Sequence, residues 1–162
     1  MLKNVELELK HNSAFIGYLF SALCLELILI NIGVPSKLMP NFVMCIVFSF
    51  AYVRPVPLWL VALGVVVGES FFSSTPNLMS FMILSLYFFV TYMLRNPSTI
   101  HKNLHMITFM LITLVIYSVK ILWLYASDFR PDVSYTLVKM IVTILLFPLF
   151  YYIAEKIVAY YS

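Results

Sequence analysis

Six apolar stretches follow one another along this chain, at residues 14–32, 40–53, 56–73, 77–94, 104–125 and 133–153. A helix that crosses the hydrocarbon of a bilayer needs about 20 mostly apolar residues, within a range of about 17–25. All but the second reach that range. The second, "PNFVMCIVFSFAYV", is short and reads as a tilted span or as a re-entrant piece buried by protein. The breaks between stretches carry turn chemistry: "NIGVPSKLMPN", "RPVP", "SSTPN", "RNPSTIHKN" and "SDFRPD". Proline lacks an amide donor and disfavours helix in the residue before it. The pattern predicts an all-α integral membrane protein, a six-transmembrane-helix bundle forming one domain over residues 1–162.

Composition agrees with the lipid environment. Hydrophobic residues make up 63% of the chain and charged ones 10%, where a soluble domain carries about a quarter charged. The net charge of +3 is spread out with no basic run, so nucleic acid is not an expected partner. The opening "MLKNVELELKHNS" is polar and lacks the order of a signal peptide. It reads as a retained cytoplasmic tail or a short interfacial helix. Cys24 and Cys45 lie in apolar runs and read as small packing residues.

Orientation follows from Lys and Arg near the helix ends. Six spans place Lys3, Lys10, Arg54, Arg95, Lys102 and Lys156 on the side of the termini, against Lys37 and Arg130 opposite. Both termini are therefore expected in the cytoplasm.

Four ionisable residues, Glu26, Glu69, Lys120 and Lys139, fall within the spans. Such groups in hydrocarbon face the bundle interior or water and pair with one another. Alternating topology brings all four toward the non-cytoplasmic side, where they can form one polar layer and where Glu69 can pair with Lys120. Two readings stand: pairing that fixes helix register, or a polar pathway or binding pocket. Just before Glu69, Gly64 and Gly68 form a GxxxG pattern, which permits close approach of a neighbouring backbone. It serves packing within the bundle or a partner helix. Gly17 and Ser21 give a second small-residue face.

His101 and His105, four apart, could share a helix face as metal ligands do, but no third ligand stands near. The expectation is an interfacial pair and no metal. Tyr151, Tyr152, Tyr160 and Tyr161 suit an aromatic belt. In "SDFRPDVSY", Asp132 can cap the sixth helix, and Arg130, beside Pro131, can pair with Asp128 or Asp132. That loop reads as a satisfied turn or as a contact surface for an extracytoplasmic partner. No Ser-His-Asp set, glycine-rich phosphate loop or HExxH is present. A non-enzymatic protein without cofactor is expected.

Three landmarks, in order, resemble the bacterial rod shape-determining protein MreD family. They are Met39 to Val53, "MPNFVMCIVFSFAYV"; Gly64 to Thr75, glycines followed by an acidic residue; and "FRPDV", Phe129 to Val133, followed by Pro148 within the last helix. Where the family commonly has Asp after the glycines, this chain has Glu69. The resemblance implies an inner-membrane scaffold of the peptidoglycan elongation machinery. It implies MreC as partner, a protein with one membrane helix and a periplasmic domain. The glycosyltransferase RodA, a class B penicillin-binding transpeptidase and the filament MreB belong to the wider assembly. It further implies a fold similar to the S components of energy-coupling vitamin transporters. A component that binds a vitamin or lipid between its helices is the alternative.

Overall fold

A computed structural model describes residues 2–72, 76–93, 102–127 and 132–161. Six helices carry the fold: α1 (Leu2–Asn31), α2 (Phe42–Val53), α3 (Leu58–Phe72), α4 (Pro76–Met93), α5 (Lys102–Ala126) and α6 (Val133–Tyr161). One 3₁₀ turn, Ser36–Leu38, precedes α2, and no strand occurs among the described residues. Four stretches are long and apolar enough to cross a membrane: Val5–Asn31, Ser36–Val53, Leu104–Ala126 and Val133–Tyr161. Leu58–Phe71 and Asn77–Tyr92 are shorter apolar helices. The chain thus has the character of a multi-pass membrane protein.

Helix bounds differ from the apolar stretches mainly at the two termini. α1 starts at Leu2, so the polar opening is part of the first long helix and not a separate segment. Residues 2–13 hold neither proline nor glycine, and Lys10 pairs with Glu6 one turn away at 2.8 Å. α6 runs on to Tyr161, and Pro148 inside it does not end it, as helices packed by membrane neighbours tolerate. α1 stops where Gly33 takes φ +85°. Gly33 N–H donates to the Ile30 carbonyl and Val34 N–H to that of Leu29, both at 3.0 Å. This paired closure needs a residue free to adopt the left-handed region. At the other kind of end, Pro76 opens α4, where its missing donor is not needed.

The helices are arranged as a ring around a centre. α1, α3, α4, α5 and α6 contact one another in that cyclic order, and α2 packs against α1, α3, α4 and α6 within them. Every residue of α2 from Phe42 to Tyr52 is buried. A helix that is apolar all round belongs inside. The outer helices turn Phe20, Ile28, Phe71, Phe81, Phe88 and Leu145 outward, as lipid contact requires. Aromatic rings fill the centre: Phe109 stacks on Phe147 at 3.6 Å between centroids, and Phe48 meets Phe109 edge-on.

Being central solves a problem of length. Twelve residues make about 18 Å of helix, against about 30 Å of hydrocarbon. Non-helical backbone at membrane depth is tolerated only where protein covers it and supplies its hydrogen bonds. Side chains do so after α2. His11 Nε2 lies 3.0 Å from the Arg54 carbonyl. The Tyr87 hydroxyl accepts from Val56 N–H at 2.9 Å and donates to the Val56 carbonyl at 2.6 Å. One phenol on α4 therefore satisfies both polar groups of a buried residue. Tyr87→Phe strands them both, and the expected loss is about 2 kcal/mol. Thermal unfolding of the purified variant checks this, and an unchanged midpoint would contradict it.

Candidate functional site

Glu26, Asn41, Glu69, Tyr117, Lys120 and Lys139, with Phe42, Val43 and Met79, line a cavity of about 20 Å³. It lies where α1, α3 and α5 approach their ends and α2 and α6 begin. The four charges of the spans are thus brought to one place. Each arrives by its own helix: Glu26 on α1, Glu69 on α3, Lys120 on α5 and Lys139 on α6.

Asn41 is the hub. As N-cap of α2, its Oδ1 accepts from Met44 N–H at 2.8 Å. Its Nδ2 donates to Glu69 Oε1 at 2.9 Å, and its backbone N–H donates to Thr143 Oγ1 at 2.9 Å. Thr143 in turn donates to the Lys139 carbonyl at 2.7 Å. One residue therefore ties α2 to α3 and α6. Glu69 lies at the N-terminus of a buried helix, whose dipole favours an anion there. That accounts for a carboxylate at the end of an oily run: its partner is the capping amide of α2. Glu69 and Lys120 line the same cavity, and Glu69 Oε1 is held by the Asn41 amide.

Glu26 is buried, and Lys120 and Lys139 are half-buried. Among the described residues, none of these three forms an ion pair within 4.0 Å. All three border the same cavity as Glu69. Two carboxylates and two ammonium groups make the set formally neutral. Neutrality matters because an unbalanced charge away from water is far more costly than a balanced set. The Tyr117 hydroxyl enters the same space. Tyr117 is 1% exposed, and its hydroxyl, near Thr143, makes no hydrogen bond within 3.5 Å among the described residues.

The two glycines of the GxxxG pattern point inward. A Cβ on Gly64 would stand 2.5 Å from Leu19 Cδ2 of α1, and one on Gly68 would collide with Val43 Cγ2 of α2. Their room is already filled by the chain itself. Gly17 is the opposite case, since a Cβ there meets nothing within 4 Å. Gly17 lies with Leu9, Ser13, Ser21, Ile157 and Tyr160 along a groove of about 630 Å³ between α1 and α6. The hydroxyls of Ser13 and Ser21 bond back to carbonyls one turn earlier, at 2.9 and 2.7 Å. The groove floor is therefore shallow and self-satisfied. Lys10, Lys156 and Tyr161 also line it.

Asp132 caps α6, its Oδ1 accepting from Tyr135 N–H at 2.9 Å. Arg130 and Pro131, with His101, lie outside the described residues. His105 stacks on Tyr52 with 4.8 Å between ring centroids and lies 3.4 Å from the Tyr151 hydroxyl. Among the described residues, no three His, Cys, Asp or Glu side chains group as a metal site. Cys24 and Cys45 are free thiols, Cys45 buried against the Thr143 carbonyl. Sequence reasoning missed Asn41, although asparagine after proline ahead of an apolar run is an N-cap signal. It also missed Tyr117, for which no sequence signal exists. Comparison with protein-family models, with curated protein sequences and with solved structures found no match.

Proposed function

We propose that this protein is a non-enzymatic scaffold that docks the single membrane helix of a partner along the α1–α6 groove. The observation that carries the reading is the contrast between the glycines. Gly64 and Gly68 are filled from inside, while Gly17 lies open on a small-residue floor. Between membrane helices, close packing over small residues is the main attraction, because lipid is as apolar as the side chains. In this reading all six helices cross the bacterial inner membrane with both termini cytoplasmic, as the Lys and Arg asymmetry favours. α2 crosses together with the buried backbone at its two ends.

The resemblance to the MreD family supplies the partner: MreC, with RodA, a class B penicillin-binding protein and MreB reached indirectly in cell-wall elongation. The likeness to transporter S components belongs to the same reading of the fold. The rival, a vitamin- or lipid-binding transport component, fits the interior less well. Small-molecule sites occupy about 300–1,000 Å³; the polar cavity has about 20 Å³, so the rival would have to use the α1–α6 groove of about 630 Å³.

Gly17→Leu tests the proposal. The added side chain meets no atom of this chain within reach of its Cβ, so abundance and thermal stability stay at wild-type level. Recovery of the single-span partner in a mild-detergent pull-down falls at least about tenfold, equivalent to about 1.4 kcal/mol. Undiminished recovery would contradict the docking site. Recovery of ATPase subunits or a stoichiometric vitamin with the wild-type protein would favour the rival.

A further inference from the structure

The neutral cavity at the head of α2 has a property that the docking reading does not use. Six of its nine lining residues are polar or charged. About 10–15 Å³ admits one water molecule, provided two to four polar groups receive it. Here the space is about 20 Å³, and Tyr117, Lys120, Lys139 and Glu26 border it. We propose that this cavity is a binding site for one water molecule, which links α1, α5 and α6 through their otherwise separated polar groups.

The argument rests first on the Tyr117 hydroxyl. It is buried in the bundle, and among the described residues no group stands within 3.5 Å in hydrogen-bonding geometry; an unmet buried hydroxyl is costly. Its hydroxyl neighbour cannot donate to it. Thr143 has a single O–H, already given to the Lys139 carbonyl, and one of its two lone pairs is taken by Asn41 N–H, so at most it can accept from the phenol, whose own oxygen still lacks a donor among the described residues. The second support is the charge set. Lys120, Lys139 and Glu26 lie too far apart for direct ion pairs but border the same space. A water molecule can accept from an ammonium group and from the phenol while donating to a carboxylate, so it meets groups of both kinds.

The test has two arms, both on the full-length chain in lipid nanodiscs with bromide as the only halide. The first is a structure at a resolution that reveals solvent. The expected result is one peak within about 2.6–3.2 Å of Tyr117 Oη and of at least one charged group, with no bromide anomalous signal. An anomalous peak there would replace water with an anion and overturn the proposal. An empty cavity, or a Tyr117 hydroxyl bonded directly to protein, would also overturn it. The second arm is Tyr117→Phe, which deletes only the hydroxyl. A hydroxyl that holds a water contributes a hydrogen bond, so the folding equilibrium constant is expected to drop about fivefold. A hydroxyl that is dry and unmet costs stability, so an unchanged or more stable variant would count against the water.

Discussion

Replacing Gly68 with leucine is expected to destabilise the bundle by about 3 kcal/mol or more, whereas Gly64→Ala stays within about 1 kcal/mol of wild type. Both glycines lie on the inner face of α3, but they meet different neighbours. The atom above Gly68 is Cγ2 of Val43. Val43 is β-branched, 2% exposed and on the central helix. Its rotamer is fixed by the helix, and α2 has other helices around it. A new side chain can therefore be admitted only by moving α2 relative to α3. Overpacking a tight interior costs typically about 1–3 kcal/mol, and more where backbone must shift. Above Gly64 the nearest atom is the tip of Leu19, a side chain that can change rotamer. The strain there is offset by the gain of about 1 kcal/mol in helix propensity from glycine to alanine. Thermal unfolding of the two variants side by side measures the difference. Equal effects would mean that the α2–α3 contact is looser than its geometry.

Asn41→Ala is expected to cost about 3 kcal/mol. The loss of an N-cap accounts for about 1 kcal/mol of this. The remainder comes from Glu69, which loses the amide that donates to it. A hydrogen bond to a charged group contributes about 1.5–3 kcal/mol. The variant Asn41→Asp separates the two parts. Aspartate still caps Met44 N–H but sets a second carboxylate against Glu69. Its loss is expected to match or exceed that of alanine. If Asn41→Asp proved as stable as wild type, the Asn41–Glu69 bond would not be holding α2 to α3.

The fold was legible where hydropathy alone decides. Long apolar stretches and proline breaks locate the helix ends to within a few residues, except at the start of α1 and the end of α6. The opening misleads because Glu6, Glu8 and Lys10 lower hydropathy without interrupting helix. Which helix lies inside is less legible. The short length of 40–53 hinted at it, but only packing reveals a ring closed around α2. For the candidate site, alternating topology sufficed to bring Glu26, Glu69, Lys120 and Lys139 to one end. It could not say that an asparagine would hold Glu69. The glycines carry the sharpest lesson. Gly17–Ser21 and Gly64–Gly68 have the same spacing, and sequence marks the second as the stronger. Yet the neighbours that fill one face and leave the other open are distant in the chain: Leu19 and Val43 against the inner face of α3, and Ile157 beside the groove. Tyr87 and Tyr117 were invisible for a related reason, because tyrosine in a membrane segment reads as interfacial belt until its hydroxyl is located.

The central claim is that a partner helix lies along the α1–α6 groove. Site-specific photo-crosslinking in living cells addresses it most directly, with a photoreactive residue at position 17 in one strain and at position 66, on the exposed face of α3, in another. The account predicts an adduct with a single-span protein from position 17 and none from position 66. An adduct from position 66 with none from position 17 would contradict it.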